Sequence, residues 1–399
     1  MKHMIALVLS ALAALFLSAG SAGAHDMPMH GQHAAEKALG ASAAFSAEGR
    51  LWLVTAHGGH VWLRHSDDFG KHLSKPVAVN KKAEPVSAEG ENRPKIALGP
   101  RGEIYASWTS PLSRPYTGRI RFARSLDGGK HFDPPITVHH DRAIITHRFD
   151  SLAVDGKGRI LAAWIDKRDL EAAKARHQPY LGAAVYYAWS DDRGASFEKE
   201  KKLADQSCEC CRIAIARTAA GDVALFWRAV YGDNIRDHAF AILEHGKTPV
   251  PVPARATFTG WHIAGCPHHG PGLAMAADGT AHGVWFSAKD DQPTIWYGQL
   301  DPGKPPQHLR KLAGAGAAHA DIAVDGKTVW TVWNQIAAEG TKLMLRISHD
   351  GGVSFGPARA IAHSSGETGS PQILRWHKRS FVAWNTSQGF RLVEVEPKS

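Results

Sequence analysis

An eight-residue pattern, S-x-D-x-G-x-x-F, occurs four times in this chain of 399 residues and constrains its fold more than any other feature. The copies span residues 66–73, 125–132, 190–197 and 348–355, with Leu73 in place of Phe in the first. The Ser and Asp side chains can bond nearby backbone N–H groups, and the Gly can adopt a positive φ. Each copy follows an apolar run typical of a strand. The pattern therefore predicts a hairpin turn whose last aromatic side chain packs into the core. The four aspartates of these turns are Asp68, Asp127, Asp192 and Asp350.

A longer repeat of roughly 50 residues surrounds these turns, which is the length of a four-stranded propeller blade. Each unit has a first apolar run, a second run that contains an aromatic residue, a third run and a fourth. Seven units begin near Ala43, Arg93, Arg148, Cys211, Gly270, Ala320 and Pro371. The turn resembles the Asp box, or BNR repeat, of sialidase-type β-propellers. The resemblance implies an all-β propeller over residues 40–399, with seven blades, or with the six of sialidases if one unit is split.

Three further expectations follow from the repeat. A Trp lies near the end of six second runs, and we expect these rings to fill the core between blades: Trp108, Trp164, Trp227, Trp285, Trp333 and Trp384. The polar, helix-prone insertion at residues 169–179 is predicted to be a surface loop of unit three. The seventh unit lacks a fourth strand, which residues near the N-terminus could supply.

Residues 1–24 have the composition of a cleaved secretory signal peptide, with an apolar stretch at 5–17 and an A-x-A site ending at Ala24. No later run of about 18 apolar residues follows, so we expect no membrane span and a periplasmic or secreted protein. Residues 25–39 form a His- and Met-rich segment expected to be flexible. Its imidazole and thioether groups suit copper, although a polar tail with incidental histidines is the alternative. The histidines of this segment are His25, His30 and His33.

The chain contains 47 Lys and Arg against 38 Asp and Glu, which gives a net charge of +9. These basic residues are dispersed, without a Lys/Arg-rich block. The pattern therefore favours a solvated basic surface over a nucleic-acid interface, and it is compatible with an anionic small molecule or glycan as ligand. We expect a monomer.

All four cysteines lie in two short segments, each leading into the first strand of adjacent units. The starts of first strands converge near the channel of a propeller, so the register predicts one cluster of the residues Cys208, Cys210, Cys211, Cys266, His268 and His269. Three interpretations remain open. The first is disulfides, as Cys208 or Cys210 to Cys266 or as a vicinal Cys210–Cys211 bond. The second is a site for Cu(I) or Zn²⁺. The third is redox chemistry.

The motif C-x-C-C-R at 208–212, with W-x-x-x-x-C-P-x-x-G-P at 261–271, resembles a subgroup of exported sialidase-like propellers. Sialidase activity requires an arginine triad for a carboxylate and a tyrosine nucleophile from late in the chain, yet the last tyrosine is Tyr297. The arginines that could bind an anion at the channel are Arg93, Arg148, Arg212, Arg228 and Arg236. The alternative role for these arginines, together with the nearby Arg168, is ion pairing between blades, with Asp150, Asp166 and Asp237 as partners.

These observations favour a non-catalytic, exported propeller that binds a ligand or a metal at a channel face lined by Cys, His and Arg. Copper is the leading candidate, and zinc is the other. A sialidase-type glycoside hydrolase and a scaffold for partner proteins are the alternatives.

Overall fold

The computed structural model describes residues 39–395, which form seven antiparallel sheets arranged as the blades of a β-propeller. Blades one to three comprise β1 (Ala41–Phe45), β2 (Leu51–His57), β3 (His60–Ser66) and β4 (Val77–Ala78), then β5 (Lys95–Leu98), β6 (Ile104–Pro111), β7 (Gly118–Ser125) and β8 (Ile136–Thr137), then β9 (His147–Val154), β10 (Ile160–Asp166), β11 (Ala183–Ser190) and β12 (Lys201–Ser207). The helix α1 (Arg168–Ala175) joins β10 to β11.

Blades four to seven continue in the same order. They comprise β13 (Ala214–Arg217), β14 (Val223–Arg228), β15 (His238–Leu243) and β16 (Ala254–Arg255), then β17 (Gly272–Met275), β18 (Ala281–Ser287), β19 (Thr294–Leu300) and β20 (Gln307–Ala313), then β21 (Ala317–Asp325), β22 (Thr328–Ala337), β23 (Gly340–Ser348) and β24 (Arg359–Ser364), and finally β25 (Gln372–Trp376), β26 (Arg379–Thr386) and β27 (Gly389–Glu394). A 3₁₀ turn at Lys289–Asp291 joins β18 to β19.

The predicted all-β propeller is confirmed, and the number of blades is seven rather than six. Six sheets have four strands, and the seventh has three within the described residues. A fourth strand from the N-terminal residues, the signal peptide and the histidines of residues 25–33 all fall on residues that the structure does not describe. Between residues 39 and 395, no helix has the length and apolar character that crossing a membrane requires.

Strand direction assigns every connection to one of two faces. Consecutive strands in each blade are neighbours and run in opposite directions. The first strand of a blade therefore begins on the same face of the propeller on which the second strand is connected to the third. We call this the channel face. The connections between first and second and between third and fourth strands lie on the opposite face, which we call the box face. The insertion between β10 and β11, predicted as a surface loop, lies on the channel face and contains the helix α1.

The hydrophobic core is divided into seven clusters, and each cluster combines side chains from two consecutive blades. The six predicted Trp rings are all 1% exposed or less, and each lies in one of six clusters. The seventh cluster, between blades seven and one, has no such Trp and is made of smaller side chains, including Ala41, Ala43 and Leu374. A buried Trp therefore fills six of the seven interfaces, and at the seventh Phe45 and Phe69 pack on Phe381 with ring centroids 5.2 and 5.3 Å apart.

The four sequence repeats are hairpin turns between third and fourth strands, as predicted. In the third blade, Ser190 Oγ donates to Asp192 Oδ1 at 2.8 Å and accepts from Gly194 N at 2.9 Å. The Asp192 carboxylate also accepts from Ser196 N at 3.1 Å. The other three turns repeat this pattern. A Cβ on Gly194 would lie 2.6 Å from Phe122 of the preceding blade, so the turn also sets the contact between blades.

Candidate functional site

The channel face of blades two to five carries the residues that the sequence singled out. Cys208, Cys210 and Cys211 lie between β12 and β13, and Cys266 lies in the segment that leads to β17. The five arginines occupy the same face, before β5 (Arg93), in β9 (Arg148), before β13 (Arg212), at the end of β14 (Arg228) and before β15 (Arg236). Antiparallel order within each blade accounts for this convergence.

Three buried thiols form a compact group, here called the thiol cluster: Cys208, Cys210 and Cys211. The Sγ atom of Cys208 lies 3.9 Å from that of Cys210 and 3.7 Å from that of Cys211. All three sulfur atoms lie within 4.8 Å of one another, and no other such group of three His, Cys, Asp or Glu occurs in residues 39–395. Cys266 is exposed, and its thiol lies near enough to that of Cys210 to raise the pKa of Cys210.

The charges around the thiol cluster are positive. Arg236 Nη1 lies 3.5 Å from Cys208 Sγ. Hydrogen bonds from the thiols of Cys210 and Cys211, together with the charges of Arg228 and Arg236, hold the pKa of Cys208 well below its usual range despite its burial. The structure therefore prepares one thiolate in an otherwise buried site.

All four cysteines are free thiols in the structure. The separations of 3.7 and 3.9 Å within the thiol cluster exceed the sulfur–sulfur bond of about 2.05 Å. The disulfides predicted from the sequence, Cys208 or Cys210 to Cys266 or the vicinal Cys210–Cys211 bond, stay predictions, as does redox chemistry at these residues.

The two histidines next to Cys266 do not join the thiol cluster. His268 is exposed and has a φ of +53°. His269 turns toward the channel, where its ring stacks on Phe286 at 4.2 Å and lies 4.8 Å from that of His319. Burial, and then the proximity of His319, lower the pKa of His269 to about 3, and its Nδ1 atom is buried without a hydrogen-bond partner. The expected mixed thiolate–imidazole cluster is therefore divided into two places.

A buried acid at the channel centre escaped the sequence analysis. Glu91 accepts a hydrogen bond from Gly270 N at 2.6 Å and contacts His319 Nδ1 at 3.3 Å. Burial raises the pKa of this carboxyl, but the charge of Arg212 and the contact with His319 outweigh burial and hold it below its usual range. Its partners lie 121 and 228 residues away in the chain, so local sequence carries no signal for it.

Arginines that the sequence predicts to bind an anion donate hydrogen bonds to main-chain carbonyls instead. Arg212 donates to the carbonyls of Pro271 and Ala320 at 2.8 and 2.6 Å. Arg228 donates to the carbonyls of His269 and Phe286 at 2.9 and 2.8 Å. These guanidinium groups connect neighbouring blades instead of presenting a free fork to a carboxylate.

The acidic partners expected for those arginines have other contacts. Asp166 is paired with Arg168 at 2.7 Å, and Asp237 is paired with Arg255. Asp150 accepts a hydrogen bond from Ser107 Oγ at 2.6 Å.

Arg148 is paired with Glu89 at 3.3 Å, and Arg93 donates to the Ser370 carbonyl at 2.6 Å. The five arginines of the anion-binding set form no ion pair with these three aspartates, whereas Arg168, which the ion-pair alternative also included, does pair with Asp166 within blade three. Arg93 and Arg212 do lie close enough to each other that, after burial, the charge of Arg212 lowers the pKa of Arg93 to about 10.

No protein-family model and no curated protein matches the sequence. Solved structures share its fold. One is a polysaccharide lyase of family PL25, an ulvan lyase bound to -[GlcA(1-4)Rha3S]-, with a TM-score of 0.56 at 11% identity over 89% of this chain and 91% of that one. A second is the polysaccharide lyase Uly1, with a TM-score of 0.54 at 7% identity over 90% of both chains. The Hadza microbial sialidase Hz136 gives a TM-score of 0.50 at 12% identity over 85% of this chain and 74% of that one. At these identities the comparisons establish a shared propeller fold.

Replacing Glu91 by Gln should lower the free energy of unfolding by about 3 kcal/mol at neutral pH, because the buried charge of Arg212 would lose that of Glu91 and keep only the 3.8 Å ion pair with Asp321. The pKa of Glu91 is lower in the folded than in the unfolded chain. Its contribution is therefore present above the unfolded value of about 4.3 and is lost as the pH falls below it. Urea unfolding at pH 7 and pH 3 measures both effects.

The control is Glu89→Gln, two residues away, where an exposed carboxylate pairs with Arg148 at 3.3 Å. This change should lower the free energy of unfolding by about 0.5 kcal/mol or less. If Glu91→Gln lowered the free energy of unfolding equally at pH 7 and at pH 3, the charge of Glu91 would not be the source of its contribution to stability.

Proposed function

We propose that this protein is an exported, non-catalytic propeller that binds a thiophilic metal ion, Cu(I), at the thiol cluster. The observation that carries the proposal is the convergence of three buried sulfur atoms within 4.8 Å, with a fourth thiol, that of Cys266, near enough to raise the pKa of Cys210. Export is proposed from the signal-peptide pattern of residues 1–24.

Sulfur spacing supports a metal site. Four thiolates around a metal at a metal–sulfur distance of about 2.3 Å are about 3.8 Å apart in a tetrahedron. The two distances from Cys208 are 3.7 and 3.9 Å, so little movement is needed to bind an ion. Cys266 supplies the fourth thiol from the solvent side, since it is exposed and contacts Cys210. This arrangement places three ligands on one rigid segment and the fourth on another.

Charge supports the same assignment. A monovalent ion held by three or four thiolates forms an anionic complex, which is costly to bury unless cations surround it. Arg236 and Arg228 lower the pKa of Cys208, and Arg148 lies near enough for its pKa to respond to Cys210 and Cys266. These groups favour a thiolate at Cys208 before binding, although the pKa of Cys210 and of Cys211 is raised, and they compensate the charge of the complex afterwards.

The donor set favours Cu(I) among thiophilic metals. The ligands are soft sulfur atoms, and His268 and His269 stand outside the group. The segment at residues 25–33 adds methionine thioethers, which suit Cu(I) better than Zn²⁺. A four-thiolate zinc site is the competing assignment, and metal analysis separates the two.

The structure offers less support for a sialidase-type hydrolase. The last tyrosine, Tyr297, is fully buried, and its hydroxyl contacts His282 Nδ1 at 2.8 Å. It therefore packs between blades five and six rather than at the channel face. Arg212 and Arg228 are bound to main-chain carbonyls, so these two guanidinium groups do not form the open arginine triad that the reaction uses.

The test is a titration of fully reduced protein with Cu(I), under anaerobic conditions, against a chromophoric Cu(I) chelator. We expect one ion per chain, with loss of the reactivity of the three buried thiols toward a thiol reagent. A parallel titration with Zn²⁺ against a fluorescent zinc chelator should show weaker binding.

Protein recovered from the periplasm provides the decisive comparison. Stoichiometric zinc in that protein would overturn the assignment of copper. Four cysteines recovered as two disulfides, with no metal bound after mild reduction, would overturn the metal site itself.

A further inference from the structure

The four thiols of this chain differ in their access to solvent. The residues of the thiol cluster are 1 to 5% exposed, whereas Cys266 is exposed. The thiol cluster belongs to the hydrophobic core between blades three and four. Its charged neighbours Arg228 and Arg236 are themselves 1 and 8% exposed. An ion that arrives from solvent therefore meets a thiol of this chain first at Cys266.

The exposed thiol lies in a short loop, residues 264–267, here called the cysteine loop, which is tied to the fold on both sides. Before the loop, Arg236 N donates to the Trp261 carbonyl at 2.7 Å. After the loop, Arg228 Nη2 donates to the His269 carbonyl at 2.9 Å. Between these ties, residues 264–267 form no main-chain hydrogen bond with any other described residue. Segments of this kind open most readily in a folded protein, so the loop can move while its ends stay fixed.

The arginines that tie the cysteine loop also face the buried thiols. Arg236 Nη1 lies 3.5 Å from Cys208 Sγ, and Arg236 Nε donates to the Ile263 carbonyl at 3.3 Å. Arg228 Nη1 donates to the Arg236 carbonyl at 3.3 Å. One pair of guanidinium groups therefore fixes the ends of the loop relative to the thiol cluster. A small movement of the loop is enough to bring Cys266 toward the cluster or away from it.

The four thiols also differ in acidity. The neighbouring Cys210 thiol lowers the pKa of Cys266, and the pKa of Cys208 is lowered as well. The pKa of Cys210 and of Cys211 is raised. The thiolate is the form that binds a metal. The structure therefore favours a thiolate at one exposed position and at one buried position.

We propose that Cys266 is the entry and exit ligand of the metal site, and that it exchanges Cu(I) with a soluble carrier that holds the ion through thiolate or thioether sulfur. This inference rests on the proposed function and adds the route by which the ion moves. A bond from copper to the carrier's sulfur breaks as a bond to Cys266 Sγ forms. The ion then passes to Cys208, and the protons displaced from Cys210 and Cys211 go to solvent. Copper remains Cu(I) throughout, so the exchange consumes no oxidant or reductant.

The test compares the rates of copper uptake and release in wild-type protein and in Cys266→Ser. Cu(I) is supplied as its glutathione complex to reduced protein without oxygen, and release is followed with an excess of a chromophoric chelator. We expect uptake to be about 100-fold slower and release about tenfold slower in the variant, which together give a tenfold loss of affinity. Removing a ligand that only stabilised the bound ion would instead accelerate release. Faster release by Cys266→Ser, or uptake at the wild-type rate, would overturn the proposal.

Selective alkylation tests the same route without a substitution. In metal-free protein, N-ethylmaleimide should modify Cys266 at least about 100-fold faster than the three buried thiols, as mapped by mass spectrometry. The singly modified protein should take up Cu(I) as slowly as the variant. Ala264→Ser, at an exposed position of the same loop, is the control and should leave both rates unchanged. Equal modification of all four thiols would contradict a single entry ligand.

The equilibrium titration distinguishes failure of this proposal from failure of the proposed function. If wild-type protein bound no Cu(I), both proposals would be wrong. If it bound one ion per chain but Cys266→Ser took up the ion at the wild-type rate, the metal site would stand and only the entry role of Cys266 would be wrong.

Discussion

Replacing Cys208 by Ser is expected to lower the affinity for Cu(I) by at least about 100-fold. Cys208 lies between the other two buried thiols, at 3.9 and 3.7 Å, and contacts Arg236. Its loss removes the most acidic thiol and separates the remaining ligands. Replacing Cys266 should cost about tenfold, because this thiol is exposed and touches the cluster only at Cys210. Chelator competition on each reduced variant measures both values.

The two variants distinguish two kinds of metal site. In a three-plus-one site the three buried thiols contribute more to metal affinity than the exposed Cys266, whereas in a symmetric site all four thiols contribute equally. Equal losses for Cys208→Ser and Cys266→Ser would contradict the three-plus-one site and favour a symmetric tetrahedral site. Thermal unfolding of both metal-free variants is the control, since Ser replaces a buried thiol at Cys208 and an exposed one at Cys266. Normal binding by the Cys208 variant would remove the basis of the proposed function.

Replacing Gly352 by Ala should lower the free energy of unfolding by about 3 kcal/mol or more. Gly352 belongs to the turn of blade six and has a φ of +89°. A Cβ at this position would overlap Tyr297 of blade five, including its Cε1 atom at 2.8 Å. The substitution therefore strains the backbone and also separates two blades. Equilibrium unfolding in urea measures the loss.

The neighbouring Gly351 provides a control that measures the effect of backbone strain on stability without a steric clash. It has a φ of +77°, and a Cβ there would meet nothing within 4 Å. Gly351→Ala should therefore cost about 1 kcal/mol. If the two variants lose the same stability, contact between the turn and the preceding blade has no energetic role.

Local sequence was sufficient to predict the fold because its determinants are local. The turn of residues 190–197 is held by hydrogen bonds among Ser190, Asp192 and Gly194, no more than four residues apart. Its repetition sets the spacing of the blades, and the buried Trp of the second strand follows from that register. The three strands of blade seven were also predicted, since each forms a separate apolar run.

The site was only partly predictable. Register alone brought Cys210 and Cys266 together, although 56 residues separate them. Register does not fix side-chain direction. The backbone at His268 is left-handed, with a φ of +53°, and His268 is exposed while His269 faces the channel. Glu91 could not be found, because its role depends on Arg212 and His319 in two other blades.

The division between the two faces has a consequence for how such a chain can change. The turns that hold the blades in register lie on the box face, and the cysteines and arginines lie on the channel face. A substitution of a cysteine or arginine on the channel face therefore leaves the turn sequences on the box face unchanged. Chains with the same turns can diverge freely in what they bind, so the signature identifies a scaffold and is uninformative about its ligand.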